Sequence, residues 1–198
     1  IPTKYSYSNS NYNFCYVGNF LMNNIDYYSL LKIVKFNEHV NFHFVGPHDT
    51  ADRNNNLGVQ KLNTNYVNEL KSMKNTIFHG IKTGEELKSL CRPFDGMLVC
   101  YFEIGKNPNA CFNSHKILEY LSMGKVVISN YFEDYKDLNG KYIFMPNKNH
   151  SSEDYLNNFN ETLNNIKYHN KEECQTKRAK YVRNKSYRKA ISLILNLV

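Results

Sequence analysis

The chain has 198 residues, 41% of them hydrophobic, and a formal net charge of +7. This length and composition suit one domain with a proper core and exclude a disordered chain. No apolar run approaches the roughly 20 residues of a membrane helix. The basic balance fits an anionic ligand or an acidic membrane surface without choosing between them.

Strand and helix patterns alternate along the sequence. The chain opens Ile1-Pro2 without Met, and residues 1–12 read as a linker from a domain outside this sequence. Residues 13–17 read as a strand ending at Gly18. Ile25, Tyr28, Leu31 and Val34 then recur at helical spacing. Val40 to Val45 alternates as a strand and runs into the turn Gly46-Pro47. Residues 48–60 are polar and Asn-rich, as in an exposed loop. Tyr66, Val67 and Leu70 predict a short helix, and Thr76 to His79 a strand closed by Gly80. Thr83-Gly-Glu-Glu86 is a capping box opening a helix that ends before Pro93. Gly96 to Phe102 is nearly all apolar, as expected of a strand buried on both faces. A loop with Gly105 and Pro108 leads to a short helix over residues 114–123. Strands at Lys125 to Ile128 and Lys141 to Phe144 follow. A helix with Tyr155, Phe159, Leu163 and Ile166 on one face comes next, then a C-terminal helix over 171–198.

This alternation predicts an α/β fold. A doubly wound, Rossmann-like parallel sheet of about six strands carries helices on both faces, in a single domain over 1–198. Ligands of such sheets bind at the carboxyl ends of the strands. That rule gathers Gly18-Asn19, Gly46-Pro47, Gly80-Ile81, Tyr101-Phe102 and the start of the 114–123 helix around one crevice. Lys116 and Glu119 lie three apart and share a helix face. Asn113 or Ser114 can cap the helix, whose first N–H groups and positive dipole end make an anion site, with Lys116 beside it. A pyrophosphate followed by a ribose diol would fit this arrangement.

The stretch Lys116-Ile-Leu-Glu-Tyr-Leu-Ser-Met-Gly-Lys-Val-Val127 resembles the nucleotide-sugar-binding signature of GT-B glycosyltransferases. The resemblance extends to Tyr16-Val-Gly-Asn-Phe20, Phe44-Val-Gly-Pro47, Asn75-Thr-Ile-Phe-His-Gly80 with Glu85-Glu-Leu87, and Phe94-Asp-Gly-Met-Leu-Val99, in the family's order and spacing. It implies the donor-binding domain of an enzyme transferring a glycosyl group from a nucleotide diphosphate sugar, a UDP-sugar first, to a glycan or lipid-linked acceptor. Glu119 would bind the ribose, and Lys116 with the backbone near Ser114 and His115 the diphosphate. Lys116 and Glu119 are thus the candidate catalytic residues. Gly18 and Asn19 would approach the phosphates, Gly80 and Ile81 would border the base, and Tyr101 would lie near the sugar or diphosphate.

The family's second carboxylate, eight positions before Glu119, is here Cys111. Glu153 and Glu161 have that spacing but read as solvated helix surface. No Asp-x-Asp motif occurs, and neither a cofactor nor a metal is expected. Cys15, Cys91, Cys100, Cys111 and Cys174 form no C-x-x-C pair and read as free thiols of a reducing, cytoplasmic compartment. The other half of a GT-B enzyme would come from the same chain or from a partner subunit. The competing reading is a non-catalytic GT-B-like interaction module. Among the histidines, His43 and His79 read as packing residues and His115 as the functional one. The basic run Lys177 to Lys189 reads first as a charged helix face, then as a peripheral membrane contact; nucleic acid is not an expected partner.

Overall fold

The computed structural model describes residues 12–49, 61–101 and 114–185. Residues 1–11 of the predicted linker, most of the Asn-rich loop, the loop with Gly105 and Pro108, Cys111, Asn113 and everything after Lys185 lie outside these residues, whereas Tyr12, read as linker, already opens the first strand.

Six parallel strands form one sheet in the order β3-β2-β1-β4-β5-β6. They are β1 (Tyr12–Val17), β2 (Val40–Val45), β3 (Thr76–Phe78), β4 (Gly96–Val99), β5 (Val126–Ser129) and β6 (Ile143–Phe144). Each strand leads to the next through a helix or turn: α1 (Tyr27–Phe36), α2 (Lys61–Ser72), α3 (Gly84–Cys91), α4 (Ser114–Ser122) and a 3-10 turn (Glu133–Leu138). α5 (Ser152–Asn164), α6 (Ile166–His169) and α7 (Glu172–Asn184) close the described chain. Every residue of β4 and β5 is buried, as a parallel strand covered on both faces requires.

The strand order reverses between β1 and β4. Right-handed crossovers put α1 and α2 on one face and α3 and α4 on the other. α5 then returns to the first face. There the Phe159 ring meets Phe14 at 5.0 Å and Phe42 at 5.8 Å between centroids. α7 packs on α4. No helix among the described residues is long and apolar enough to cross a membrane.

Two expectations need correction. The buried stripe of α1 is Tyr27, Leu30, Ile33 and Val34, whereas Tyr28 is 69% exposed. Ile25 never joins the helix: it forms an isolated bridge with Tyr101, and Asp26 caps the helix by accepting the Ser29 N–H. The period therefore starts later than the apolar spacing suggested. The second is that Ile166 opens the short α6 instead of ending α5; the expected C-terminal helix is described as α7 as far as Asn184, and its remainder after Lys185 lies outside the described residues. The Thr83–Glu86 capping box is present as expected: the Glu86 carboxylate accepts the Thr83 N–H at 2.8 Å.

Two buried cations hold the helix ends on the second face. Lys125 is 1% exposed, and its ammonium donates to the carbonyls of Arg92 at 2.6 Å and Phe94 at 2.9 Å. Burial pulls its pKa down to about 8, while Cys91 and Asp95 nearby favour the charge. Arg178, also 1% exposed, donates to the carbonyls of Gly124 at 2.9 Å and His169 at 2.7 Å. Asp95 holds the turn before β4. It exchanges two 2.7 Å bonds with Asn13, one from its own N–H and one to its carboxylate, and so pins the start of β4 to β1. Lys125→Met should leave the two carbonyls unmatched and cost about 2–4 kcal/mol in urea unfolding. A loss below about 0.5 kcal/mol would show that the ammonium is not needed there.

Candidate nucleotide-sugar site

The crevice at the reversal point is built from backbone before side chains. The Gly18 N–H donates to the Val45 carbonyl at 2.9 Å, the Gly46 N–H to the Gly80 carbonyl at 2.8 Å, and the Phe20 N–H to the Pro47 carbonyl at 2.9 Å. These bonds lace the loops that follow β1, β2 and β3 into one rim. Gly46 has φ +133°, and a Cβ there would lie 1.9 Å from the Gly18 carbonyl oxygen. Only glycine serves both the angle and the approach. Asn19 turns on itself, its side-chain oxygen accepting the Leu21 N–H at 3.0 Å.

From the other side of the reversal, α4 presents Lys116. Its ammonium donates to the Val17 carbonyl and to the Tyr101 hydroxyl, each at 2.8 Å. It also sits 5.6 Å from the Tyr101 ring centroid. A Cβ on Gly18 would come 3.2 Å from this nitrogen, so the bare glycine lets loop and lysine meet. Two of three ammonium hydrogens are used, which leaves one for an anion. The Tyr101 hydroxyl, accepting from Lys116, keeps its own proton to donate. The Tyr16 hydroxyl is buried beside Gly18 and has no partner at good hydrogen-bond geometry. Burial, and then the neighbouring Tyr101, push the Tyr16 phenol far above its ordinary range, so it stays neutral.

Gly18, Lys116 and Tyr101 thus converge. Ile117, Tyr120 and Leu121 pack inward and fix α4. His115 and Glu119 are exposed on that helix. Glu119 lies close enough to Lys88 of α3 to favour its charge. Ile81 is 59% exposed at the rim after β3. Ser114 opens α4, and its side chain lies outside the described residues. One positioning residue escaped the sequence reading. The Asn130 side-chain oxygen accepts the Tyr101 N–H at 2.5 Å and fixes that backbone. Its signal was a polar residue at the carboxyl end of a buried strand.

His43 and His79 are packing residues. His43 Nδ1 lies 2.9 Å from His79 Nε2, and His43 Nε2 lies 3.0 Å from the Asn13 side-chain oxygen. His43 stacks on Phe94 at 4.2 Å. Burial, and next the neighbouring His79, lower the His43 pKa from 6.5 to about 4. Burial lowers His79 as well, with Lys82 adding to it. Glu153, expected to be solvated, is 57% exposed and pairs with Lys32.

No protein-family profile matches the chain, and no curated protein matches it. Solved structures do match. Sucrose-phosphate synthase from Thermosynechococcus elongatus superposes with a TM-score of 0.69 at 12% identity, over 96% of this chain and 45% of its own. TarM superposes at 0.65 and 14%, over 100% and 36%. Anabaena Alr3699/HepE in complex with UDP and glucose superposes at 0.64 and 14%, over 96% and 49%. The fold is therefore the doubly wound Rossmann-like one. More particularly, it is that of one half of a GT-B glycosyltransferase, and the chain spans less than half the length of these three structures.

Two outcomes check this geometry. Gly46→Ala should cost more than about 2 kcal/mol in urea unfolding, whereas Gly84→Ala, with nothing within 4 Å of the added carbon, should be tolerated. For His43, the lowered pKa means that the unfolded chain binds more protons between about pH 4 and 6.5. Its stability contribution is whole above that window and is lost as pH falls through it. The native chain should lose on the order of 1–2 kcal/mol from about pH 7 to pH 5. His43→Phe should lose clearly less, and an unchanged slope would refute the assignment.

Proposed function

We propose that the chain is the donor-binding half of a glycosyltransferase and holds a nucleotide diphosphate sugar, a UDP-sugar first. The observation that carries this is the Lys116 ammonium, fixed by Val17 and Tyr101 against the bare backbone of Gly18 at the reversal point of the sheet. A diphosphate entering there meets a positioned cation, the start of α4 and the Tyr101 hydroxyl proton. These groups would stabilise charge developing on the leaving diphosphate during glycosyl transfer. In this reading Glu119 accepts the ribose hydroxyls, Gly80 and Ile81 border the base, and Asn19 and His115 flank the phosphates. The structure of Alr3699/HepE with UDP and glucose supports the choice of nucleotide. The acceptor, a glycan or lipid-linked sugar, would be presented by the missing half, in the same polypeptide or in a partner subunit. No protein metal takes part in this reading, which assigns the diphosphate charge to Lys116 and the helix start, and the compartment would be the cytoplasm.

Calorimetric titration with UDP, GDP and ADP tests the proposal. Saturable binding of UDP is expected, weakened about tenfold by Lys116→Ala and by Glu119→Ala. Unchanged affinity in both variants would refute the site. If no nucleotide bound this chain even with its partner half supplied, the non-catalytic interaction module would replace the enzyme.

A further inference from the structure

A second charged feature lies at the opposite end of the sheet, near the amino ends of β4 and β5. There α3, α4 and α7 enclose a cleft of about 880 Å³. Lys88 and Arg92 line it from α3, and Lys180 and Arg183 from α7. Each pair lies three or four residues apart, so each occupies one helix face. Among the described lining residues the one acidic side chain is Glu85, paired with Lys88 at 2.7 Å. The basic run near the C-terminus is therefore not uniformly a solvated face. Arg178 turns inward as a structural cation, while Lys180 and Arg183 border the cleft.

Helix C-termini ordinarily repel anions, and α3 and α4 both end at this cleft. The carbonyls just past the two helices are matched from within, by Lys125 on Arg92 and Phe94 and by Arg178 on Gly124. Lys88 is matched by Glu85 and lies near Glu119, but Arg92, Lys180 and Arg183 keep the lining net positive, which favours a multivalent anion. A single phosphate is small for a cleft of about 880 Å³, whose cations come from two separate segments of the chain.

We propose that this cleft is a second anion site, separate from the crevice at Lys116, for a ligand bearing at least two phosphate groups. Such phosphates belong either to a soluble molecule or to the headgroups of a lipid surface.

The test uses the 198-residue chain carrying Lys116→Ala, so that the crevice contributes least. It is titrated with tripolyphosphate and with inorganic phosphate, and sedimented with phosphatidylcholine vesicles containing or lacking phosphatidic acid. Saturable binding of tripolyphosphate or of the acidic vesicles is expected, and Lys180→Ser with Arg183→Ser should weaken it about tenfold. Lys35→Ser with Lys74→Ser makes the same charge change elsewhere on the surface and should leave it intact. Tripolyphosphate binding without vesicle retention assigns a soluble ligand. Retention on acidic vesicles that tripolyphosphate displaces assigns headgroups. Absence of saturable binding to either, equal loss in both double variants, or inorganic phosphate binding as tightly as tripolyphosphate would each overturn the proposal. Unchanged UDP titration of the Lys180→Ser and Arg183→Ser variant with Lys116 intact shows that the fold survives. UDP binding that ignores Lys116 would instead refute the crevice and leave the cleft standing.

Discussion

The crevice depends on one close approach of backbone to backbone. Gly46 lies so near the Gly18 carbonyl that any side chain at this position would displace it. Because the Gly46 N–H is tied to Gly80 and the Gly18 N–H to Val45, three loops from three neighbouring strands move as one body. The edge this creates is laced by main-chain bonds and backed by the rings of Phe20, Phe44 and Phe78. Lys116 completes the arrangement from the other side of the reversal and ties α4 to the end of β1.

Inward-facing cations recur in this fold, and all of them bind main-chain carbonyls. Lys125 and Arg178 are buried at the closed end of the sheet, where they join α3, α4, α6 and α7. Lys116 makes a similar bond to Val17, but it stands at the open end and is only half-buried. The same chemistry therefore ties the chain together at both ends of the sheet, buried at one and open to solvent at the other. The difference lies in what the surrounding backbone leaves open, since burial without a bonded partner would cost each charge several kcal/mol.

The sheet was legible in the sequence because its strands are buried on both faces. Gly96 to Val99 and Val126 to Ser129 read as apolar runs, and they lie fully inside. The capping box at Thr83 was legible because capping is local chemistry. The crevice could be assembled only by adding the rule for parallel sheets to the glycines at 18, 46 and 80. The hydrophobic face of α1 was misread because Ile25 is captured by Tyr101, a long-range contact that no helical period reveals. The inward role of Lys125 was hidden for a related reason: its acceptors precede β4, far along the chain. Asn130 escaped because its partner is a backbone N–H, which every residue type shares.

The wholly parallel sheet bears on how the molecule comes into being. No two adjacent strands are joined by a tight hairpin, so each pairing must wait for an intervening stretch of chain. β1 can find β2 early during synthesis, but its other neighbour is β4, which leaves the ribosome only after α2, β3 and α3. Until then the Gly18 loop has nothing on its far flank, and Phe14 and Phe42 await Phe159 from later still. The reversal point between β1 and β4 is thus, in a growing polypeptide, an open seam.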